Sequence, residues 1–406
     1  MSEATKLNGC HVMAKPTGSI CNIDCTYCFY LEKEKLYPDR NKNWKMNDST
    51  LERYIKQQIE AQSSNEVVFA WQGGEPTLMG IEFFQLAMDL QKTHNKNGKR
   101  IINTFQTNGI LLNDEWCEFF KKYNYLVGIS IDGPKELHDL YRVNRSGKST
   151  HDKVIKGIEL LRKHHVEFNT LTVVNNINVN SPEKVYQYLK SLGSTNIQFI
   201  PLIERRAKLP DENGLTLIGP DYPYESNVTE WSVDSLSFGR FLCAIFSSWV
   251  RNDIGKVWVQ MFEQTFAAWC EQPAQICIFA ENCGSALALE SNGDVYSCDH
   301  FVYPEYKLGN IHDQPIVEMY ESQSNLSFGK NKSKSLPKEC ISCEFKFACH
   351  GGCPKHRFIP SVSGGSKHNY LCLGYKEFFK HSKPFMIIMR DLWQSGYAPK
   401  DIMNII

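Results

Sequence analysis

Eleven of the fifteen cysteines fall into three spaced groups, a pattern typical of metal or iron–sulfur ligands. The first group is a C-x3-C-x2-C run formed by Cys21, Cys25 and Cys28. Three thiolates on one short loop can bind three irons of a [4Fe-4S] cube, which leaves the fourth iron free for an outside ligand with an amine and a carboxylate. The methionine end of S-adenosylmethionine has both groups. An electron from the cluster would cleave its sulfonium bond and give a 5′-deoxyadenosyl radical.

The other eight cysteines are enough for two complete four-cysteine sites. Full thiolate ligation would leave no iron open to bind substrate directly. These eight are Cys277, Cys283, Cys298, Cys340, Cys343, Cys349, Cys353 and Cys372. Zinc is the alternative for all three groups: His11 could complete the first, and the C-x2-C spacing of Cys340 and Cys343 also occurs in zinc ribbons. The long gaps between the other cysteines favour clusters. The four remaining thiols fit no spacing, so we expect them to be buried and inert: Cys10, Cys117, Cys243 and Cys270.

Composition limits the class of protein. The chain has 406 residues, 42% of them hydrophobic, which predicts two or three packed domains. Lys+Arg and Asp+Glu both number 45, so no electrostatic reason favours nucleic acid or a membrane as partner. No apolar run approaches the ~18 residues that span a bilayer, and residues 1–6 lack the apolar core of a secretory signal. We therefore expect a cytoplasmic protein with reduced thiols.

Short apolar runs alternate with amphipathic stretches over the first half of the chain, which predicts parallel β-α units. The expected strands are 11–14, 67–72, 101–107, 126–131, 168–175 and 197–202, and the expected helices are 50–62, 83–95, 114–123, 154–165 and 182–192. Periodicity alone allows an open barrel or a doubly wound sheet. Both folds place their sites at the carboxyl ends of strands, where the first cysteines, Gly73-Gly74-Glu75-Pro76, Asn108-Gly109 and Asp132-Gly133-Pro134 lie.

The second half of the chain has a different character. Residues 201–231 are predicted to form a long loop, followed by helices at 238–250 and 257–270 and a C-terminal helix at 376–394. Residues 286–298 are typical of a β-hairpin with Asn292-Gly293 as a two-residue turn. Such a hairpin would bring Cys298 back beside Cys283.

The cysteine run Cys21–Cys28, with Tyr27 before its last cysteine, resembles the radical S-adenosylmethionine superfamily. The resemblance implies that Gly73, Gly74 and Glu75 contact the amino group of S-adenosylmethionine, although a tight strand-to-helix turn would also explain these glycines. By the same resemblance, the ribose and carboxylate contacts fall to Ser130 and Arg142. Arg145 is a close competitor for the carboxylate, and Asn108 is a weaker candidate for the pocket.

The C-terminal cysteines resemble the auxiliary-cluster module called SPASM, and all eight ligand positions are kept. The resemblance implies an interleaved assignment in which Cys353 leaves its sequence neighbours. One auxiliary cluster would use Cys277, Cys283, Cys298 and Cys353, and the other Cys340, Cys343, Cys349 and Cys372. Three [4Fe-4S] clusters and S-adenosylmethionine are therefore the expected cofactors.

The run from Cys298 to Ile311, together with Cys28-Phe29-Tyr30, looks like that of anaerobic sulfatase-maturating enzymes. This resemblance implies oxidation of a cysteine or serine of a sulfatase polypeptide, followed by x-Pro-x-Arg, to Cα-formylglycine. Asp299 matches the family's general base, and we expect burial and the anionic cluster to raise its pKa. His300 is an alternative base or an orienting residue. Tyr30 would lie near adenosine or peptide.

The expected architecture is an α/β fold: a partial (β/α)6 barrel core at 1–235, a helical linker at 236–275, a SPASM domain at 276–375 and a C-terminal helix at 376–406. The expected partners are the sulfatase polypeptide and a flavodoxin or ferredoxin electron donor, with no nucleic acid or membrane. Two alternatives stay open. One is another SPASM-type enzyme that crosslinks peptides through thioether or carbon–carbon bonds, although only 20 residues precede Cys21 for a peptide-capture domain. The other is a zinc-bound scaffold without turnover.

Overall fold

A parallel sheet forms the centre of the molecule, as seen in a computed structural model that describes residues 9–38 and 43–406. All six predicted strands are present, each within one residue of its expected ends. Their bounds are β1 His11–Lys15, β2 Glu66–Trp71, β3 Arg100–Thr107, β4 Leu126–Ser130, β5 Phe168–Val174 and β6 Asn196–Pro201. Neighbouring strands pair in parallel from β1 to β6, so their carboxyl ends share one edge.

Amphipathic helices connect these strands, and two of the helices begin at an asparagine cap. Asn47 accepts a hydrogen bond from the backbone of Thr50, and Asn113 caps the third helix in the same way. The helices are α1 Asp48–Ala61, α2 Ile81–His94, α3 Asp114–Lys122, α4 Lys135–His138, α5 His151–Lys163 and α6 Pro182–Ser191. The alternation confirms the α/β class with a parallel core.

The sequence predicts a long loop at 201–231, but the segment is not all loop. It contains a short antiparallel pair, β7 Arg205–Ala207 and β8 Ser226–Val228. Three residues per strand are too few for a periodic pattern to show. Next come α7 Ser235–Asn252, a two-residue strand β9 Trp258–Val259 that pairs with β6, and α8 Gln260–Trp269.

The predicted hairpin joins the main sheet instead of standing apart from it. Its strands are β10 Ala286–Glu290 and β11 Asp294–Tyr296, followed by β12 Lys307–Asn310. β10 lies parallel to β1, with His11 beside Ala286 and Lys15 beside Glu290. The turn has three residues, not two, and Gly293 takes its positive φ of 94°. The ten-stranded sheet thus continues across the expected boundary at 275/276.

Short helices, one small strand pair and a long C-terminal helix complete the fold, and three cysteines lie in them: Cys340, Cys349 and Cys372. These elements are α9 Ile316–Glu321, α10 Gln323–Lys334, α11 Lys338–Ile341, α12 Lys346–Cys349, β13 Arg357–Ile359, β14 His368–Asn369 and α13 Cys372–Gln394. α13 packs against α7 so closely that a Cβ on Gly374 would lie 1.9 Å from the carbonyl oxygen of Ser235. Among the described residues, none of the helices combines the length and apolar character needed to cross a membrane. Residues 1–6, considered above for a secretory signal, lie outside the described residues.

Candidate active site and cysteine clusters

The first cysteine loop follows β1, and its three thiols are neighbours. Cys21 and Cys25 are each 8% exposed. Burial, followed by the charge of Glu75, raises the pKa of Cys21 to about 12. Burial also raises the pKa of Cys25, with further contributions from the charges of Cys28 and Cys21. Because thiolates are the ligand form, the positive charge of bound irons would have to offset this burial to keep the three sulfurs deprotonated.

Two glycines after β2 press against the backbone that leads into this loop. A Cβ on Gly74 would lie 2.0 Å from the carbonyl oxygen of Ile20, and one on Gly73 would lie 2.9 Å from that of Gly18. The amide of Gly74 donates to the carbonyl oxygen of Gly18 at 2.7 Å. The glycines therefore let the second loop support the first, and they fit the close approach to a ligand that the sequence predicts.

The carboxylate of Glu75 is already used by the protein. It accepts hydrogen bonds from the hydroxyls of Thr77 and Thr107, both at 2.7 Å, and from the backbone amides of Thr77 and Asn108. The residue is fully buried. Its side chain ties the ends of β2 and β3 together, so only its backbone is available to a ligand.

The two arginines expected near the ligand carboxylate differ in their surroundings. Nε of Arg142 lies 3.0 Å from Oδ2 of Asp132, and the hydroxyl of Tyr27 donates to the same oxygen. Arg142 is only 6% exposed. Arg145 donates to the carbonyl oxygen of Cys21 at 2.6 Å and lines an open pocket of about 880 Å³ beside the other two cysteines. The open pocket favours Arg145 as the arginine that meets a ligand.

Two more predicted residues lie at strand ends beside this loop. The side-chain amide of Asn108 donates to Asn22 at 2.7 Å and lies 3.7 Å from Sγ of Cys21. The hydroxyl of Ser130, the last residue of β4, accepts from Gln106 at 3.0 Å. Asn108 is thus brought to the first cysteine group, whereas Ser130 is placed at the same sheet edge.

Cys353 lies with the cysteines of the hairpin region. Burial, followed by the charges of Cys353 and Cys277, raises the pKa of Cys298. Burial and the same two thiols raise the pKa of Cys283 to about 12. Nδ1 of His300 is 3.8 Å from Sγ of Cys353. These contacts bring together the set that the resemblance implies for one auxiliary cluster.

The other four cysteines line a second, small pocket of about 330 Å³: Cys340, Cys343, Cys349 and Cys372. Burial and the charges of the other three thiols raise the pKa of Cys349 to about 12. Within the described ranges, no three His, Cys, Asp or Glu side chains converge as the ligands of a single metal ion would. Four thiols around one pocket supply the number of ligands that a [4Fe-4S] cluster needs.

Asp299 meets the barrel core through a buried lysine. Nζ of Lys15 forms an ion pair with Oδ1 of Asp299 and lies 3.3 Å from the ring centroid of Tyr30. The hydroxyl of Tyr30 donates to Glu290, which stands beside Lys15 in the β1–β10 register. Tyr30 and Asp299 are therefore brought together, 269 residues apart in the chain.

The pKa of Asp299 differs from the expectation. Burial raises it, but the charges of Lys15 and His300 and the hydrogen bond from Lys15 outweigh burial, so the pKa lies below its ordinary value. The expectation of a raised pKa rested on burial and the anionic cluster and left out Lys15, which together with His300 outweighs burial among the protein groups. Burial and the nearby Lys355 lower the pKa of His300 to about 4, which keeps its imidazole neutral at pH 7.

Sequence reasoning missed three basic residues that organise these groups. The predicted strand 11–14 stops one residue before Lys15, which the structure includes in β1. Nζ of Lys332 donates to the carbonyl oxygens of Cys277 and Ile278 at 2.6 and 3.0 Å, and also to that of Ala280. Arg357 donates to the backbone carbonyl oxygens of His350 and Gly351, between Cys349 and Cys353, and to that of Lys332. The one sequence signal that could have found Lys15 is the presence of a lysine directly after an apolar run.

Family models match both halves of the chain. The model described as Radical SAM superfamily matches residues 16–189, and the iron-sulfur cluster-binding domain SPASM matches residues 277–344. The first match contains the Cys21–Cys28 loop and the Gly73-Gly74 turn. The second contains five of the eight C-terminal cysteines, up to Cys343, and the other three lie beyond its end.

Relatives cover almost the whole chain. A serine-type anaerobic sulfatase-maturating enzyme of Bacteroides thetaiotaomicron is 45% identical over 98% of this chain and 95% of its own length. A cysteine-type anaerobic sulfatase-maturating enzyme of Clostridium perfringens is 35% identical over 93% of this chain and 97% of its own. The solved structure of native anSMEcpe with bound AdoMet and Cp18Cys peptide superposes with a TM-score of 0.81, at 32% identity, covering 94% of this chain and 98% of that one.

Proposed function

The chain belongs to the anaerobic sulfatase-maturating enzymes of the radical SAM superfamily, and we propose that it oxidises one serine or cysteine of a sulfatase polypeptide to Cα-formylglycine without oxygen. One observation carries the proposal. The pairing of β10 with β1 brings Asp299, from the SPASM half, against Lys15 and Tyr30 at the end of the barrel core that bears the three-cysteine loop. A proton acceptor thus lies at the site where a radical would act.

The residues suited to hold S-adenosylmethionine surround the first cysteine loop. Cys21, Cys25 and Cys28 would bind three irons of a cluster, which supplies, with S-adenosylmethionine bound, a radical able to remove a hydrogen atom from the target carbon. The backbone of Gly73, Gly74 and Glu75 lies against this loop. Asn108 and Ser130 stand at the same sheet edge. Arg145 is better placed than Arg142 to grip the ligand's carboxylate, because Arg142 is held by Asp132.

Asp299 removes the remaining proton. After the target Cβ loses a hydrogen atom, one electron and the hydroxyl or thiol proton must leave to form the C=O or C=S double bond. Asp299 carries a negative charge because Lys15 lowers its pKa, so its carboxylate can accept that proton. For a cysteine target, water then replaces the sulfur and hydrogen sulfide is released. Tyr30 borders the same space and would contact the peptide or adenosine.

Two further [4Fe-4S] clusters, three in all, complete the proposed cofactors. The thiols of Cys277, Cys283, Cys298 and Cys353 and those of the second pocket would hold them, and the chemistry they would supply is acceptance of the electron that leaves the substrate radical. A flavodoxin or ferredoxin is the proposed electron donor. Reduced thiols also underlie the proposed cytoplasmic location.

The test uses anaerobically reconstituted holoenzyme, S-adenosylmethionine, a strong reductant and a matched pair of peptides carrying Ser or Cys before x-Pro-x-Arg. We expect an aldehyde on one or both peptides, detected by mass spectrometry after hydrazide capture, together with 5′-deoxyadenosine. A peptide with the target replaced by alanine is the control. Release of 5′-deoxyadenosine with no aldehyde on either peptide would reject the sulfatase assignment while leaving the radical chemistry intact.

A further inference from the structure

Lys15 is a buried cation at the junction of the two halves of the molecule. It is the last residue of β1 and is only 2% exposed. The two residues after it, Pro16 and Thr17, lead directly into the first cysteine loop. A buried lysine without a charged partner is costly, so its position calls for an explanation beyond packing.

Two contacts fix the ammonium group of Lys15, and strand pairing fixes its backbone. The strand backbone is held in register with β10, where Glu290 is its direct neighbour. The ring of Tyr30 lies under Nζ with a centroid distance of 3.3 Å. Asp299 supplies the paired carboxylate. The hydroxyl of Tyr30 is in turn tied to Glu290, so the aromatic face under Nζ cannot rotate freely.

We propose that Lys15 is the positioning residue of the reaction: it aims the carboxylate of Asp299 at the target side chain. The inference rests on the proposed function, in which Asp299 accepts the substrate proton. Asp299 begins a three-residue 3-10 helix, Asp299–Phe301, whose first turn has no side-chain cap. The ion pair with Lys15 is therefore the main contact that fixes this carboxylate relative to the barrel core. Loss of the lysine would leave Asp299 present but misplaced.

A second lysine–aspartate–tyrosine group in the same chain serves as a comparison. Nζ of Lys190 donates to both carboxylate oxygens of Asp253, at 2.9 and 2.7 Å, and the hydroxyl of Tyr186 donates to the same carboxylate. This group joins α6 to the end of α7 and contacts none of the cysteine loops. It has the same residue types as the Lys15 group. Substitutions in it therefore serve as a control for the loss of an ion pair that only stabilises the fold.

The test is a double-mutant cycle on the reconstituted holoenzyme, with aldehyde formed per 5′-deoxyadenosine as the readout. A positioned base contributes about 100-fold or more. We expect Lys15→Met to lower this ratio by about 10- to 100-fold in the parent, with little change in peptide KM. In the Asp299→Asn background, the same change should lower the residual ratio by less than about 2-fold, because the lysine acts through the carboxylate.

Controls separate positioning from folding. Lys190→Met should lower the thermal unfolding midpoint but leave the product ratio unchanged. If Lys15→Met does not fold, the cycle is run with Lys15→Arg, which keeps the charge but changes the shape of the head group and should lower the ratio in the parent only. An equal loss in the parent and in Asp299→Asn would overturn the positioning role. A parent-like aldehyde yield in Asp299→Asn alone would instead remove Asp299 as the base.

Discussion

The two cysteine regions differ in the number of cysteines that each site gathers. They also differ in the hydrogen bonds made by a buried lysine near each region. The first loop gathers three thiols beside an open pocket, whereas the C-terminal region gathers two sets of four. Lys33, just after the first loop, is 2% exposed and its Nζ has no hydrogen-bond acceptor among the described residues. Lys332, in the C-terminal region, donates to three backbone carbonyls.

This difference suits cysteine thiols to two purposes in one chain, an open site and two closed sites. In the proposed function, a group of three thiols beside open space would receive a small molecule. Groups with four thiols, supported by lysine and arginine contacts to the loop backbone, are built to stay closed. The comparison predicts that changes in the first region affect S-adenosylmethionine cleavage, while changes in the second region affect product formation or stability.

The largest contrast comes from removing one thiol in each region. Cys25→Ala leaves too few ligands for the first cluster, so 5′-deoxyadenosine formation should fall to background. Cys343→Ala should keep most 5′-deoxyadenosine formation and lose most aldehyde, because the radical-generating loop is intact. Chromatography of 5′-deoxyadenosine and mass spectrometry of the peptide measure both. Equal loss of S-adenosylmethionine cleavage in the two variants would contradict the proposed difference between the two cysteine regions.

A glycine substitution should disturb the first region without removing a ligand. Gly74→Ala places a Cβ 2.0 Å from the carbonyl oxygen of Ile20, which must shift the cysteine loop. We expect 5′-deoxyadenosine formation to fall by about 10- to 100-fold and stability to fall by about 1–3 kcal/mol. The control is Gly98→Ala, where φ is +65° but a Cβ meets nothing within 4 Å. It should cost about 1 kcal/mol and spare cleavage. Unchanged cleavage in Gly74→Ala would contradict this role.

Loss of the carbonyl contacts should weaken the C-terminal region. Lys332→Met leaves the carbonyl oxygens of Cys277, Ile278 and Ala280 without their donor, at a cost of about 1–3 kcal/mol. Thermal unfolding and iron content per chain should both decrease, while the exposed Lys330→Met stays within about 0.5 kcal/mol of the parent. Full iron content and unchanged stability in Lys332→Met would show that these contacts are not needed.

The smallest expected effect is a pH dependence at Lys33. Burial, followed by the charge of Lys355, lowers the pKa of Lys33 to about 7. Below that pH the folded protein must bury an ammonium, whereas between about pH 7 and 10 the unfolded chain holds more protons and stability rises with pH. Lys33→Met should therefore stabilise the protein relative to the parent near pH 6, and this advantage should shrink toward pH 9. A pH-independent difference in urea unfolding would contradict the shifted pKa.

Much of this fold could be predicted because its signals are local. The six apolar strands and the turn at Asn292-Gly293 can be recognised within a few residues, and cysteine spacing selects the eleven thiols proposed as ligands. The β7–β8 pair could not be predicted, because three residues per strand are too few to show a periodic pattern. The three-residue turn at Gly293 was also misjudged, since Asn-Gly occurs in both turn lengths.

The site itself depends on contacts that no local pattern contains. Lys15 and Asp299 are 284 residues apart, and only the parallel pairing of β10 with β1 brings them together. Without Lys15 the direction of the Asp299 pKa shift was wrong. The occupation of Arg142 by Asp132 likewise follows from the meeting of separate loops, so sequence could name two arginines but not rank them by access.

The most direct measurement is electron paramagnetic resonance of reduced holoenzyme before and after addition of S-adenosylmethionine. The three-thiol loop predicts that the spectrum of one cluster changes, that Cys25→Ala abolishes this response, and that Cys343→Ala retains it. A response that persists in Cys25→Ala, or that is lost in Cys343→Ala, would contradict the division between an open first group and closed C-terminal groups.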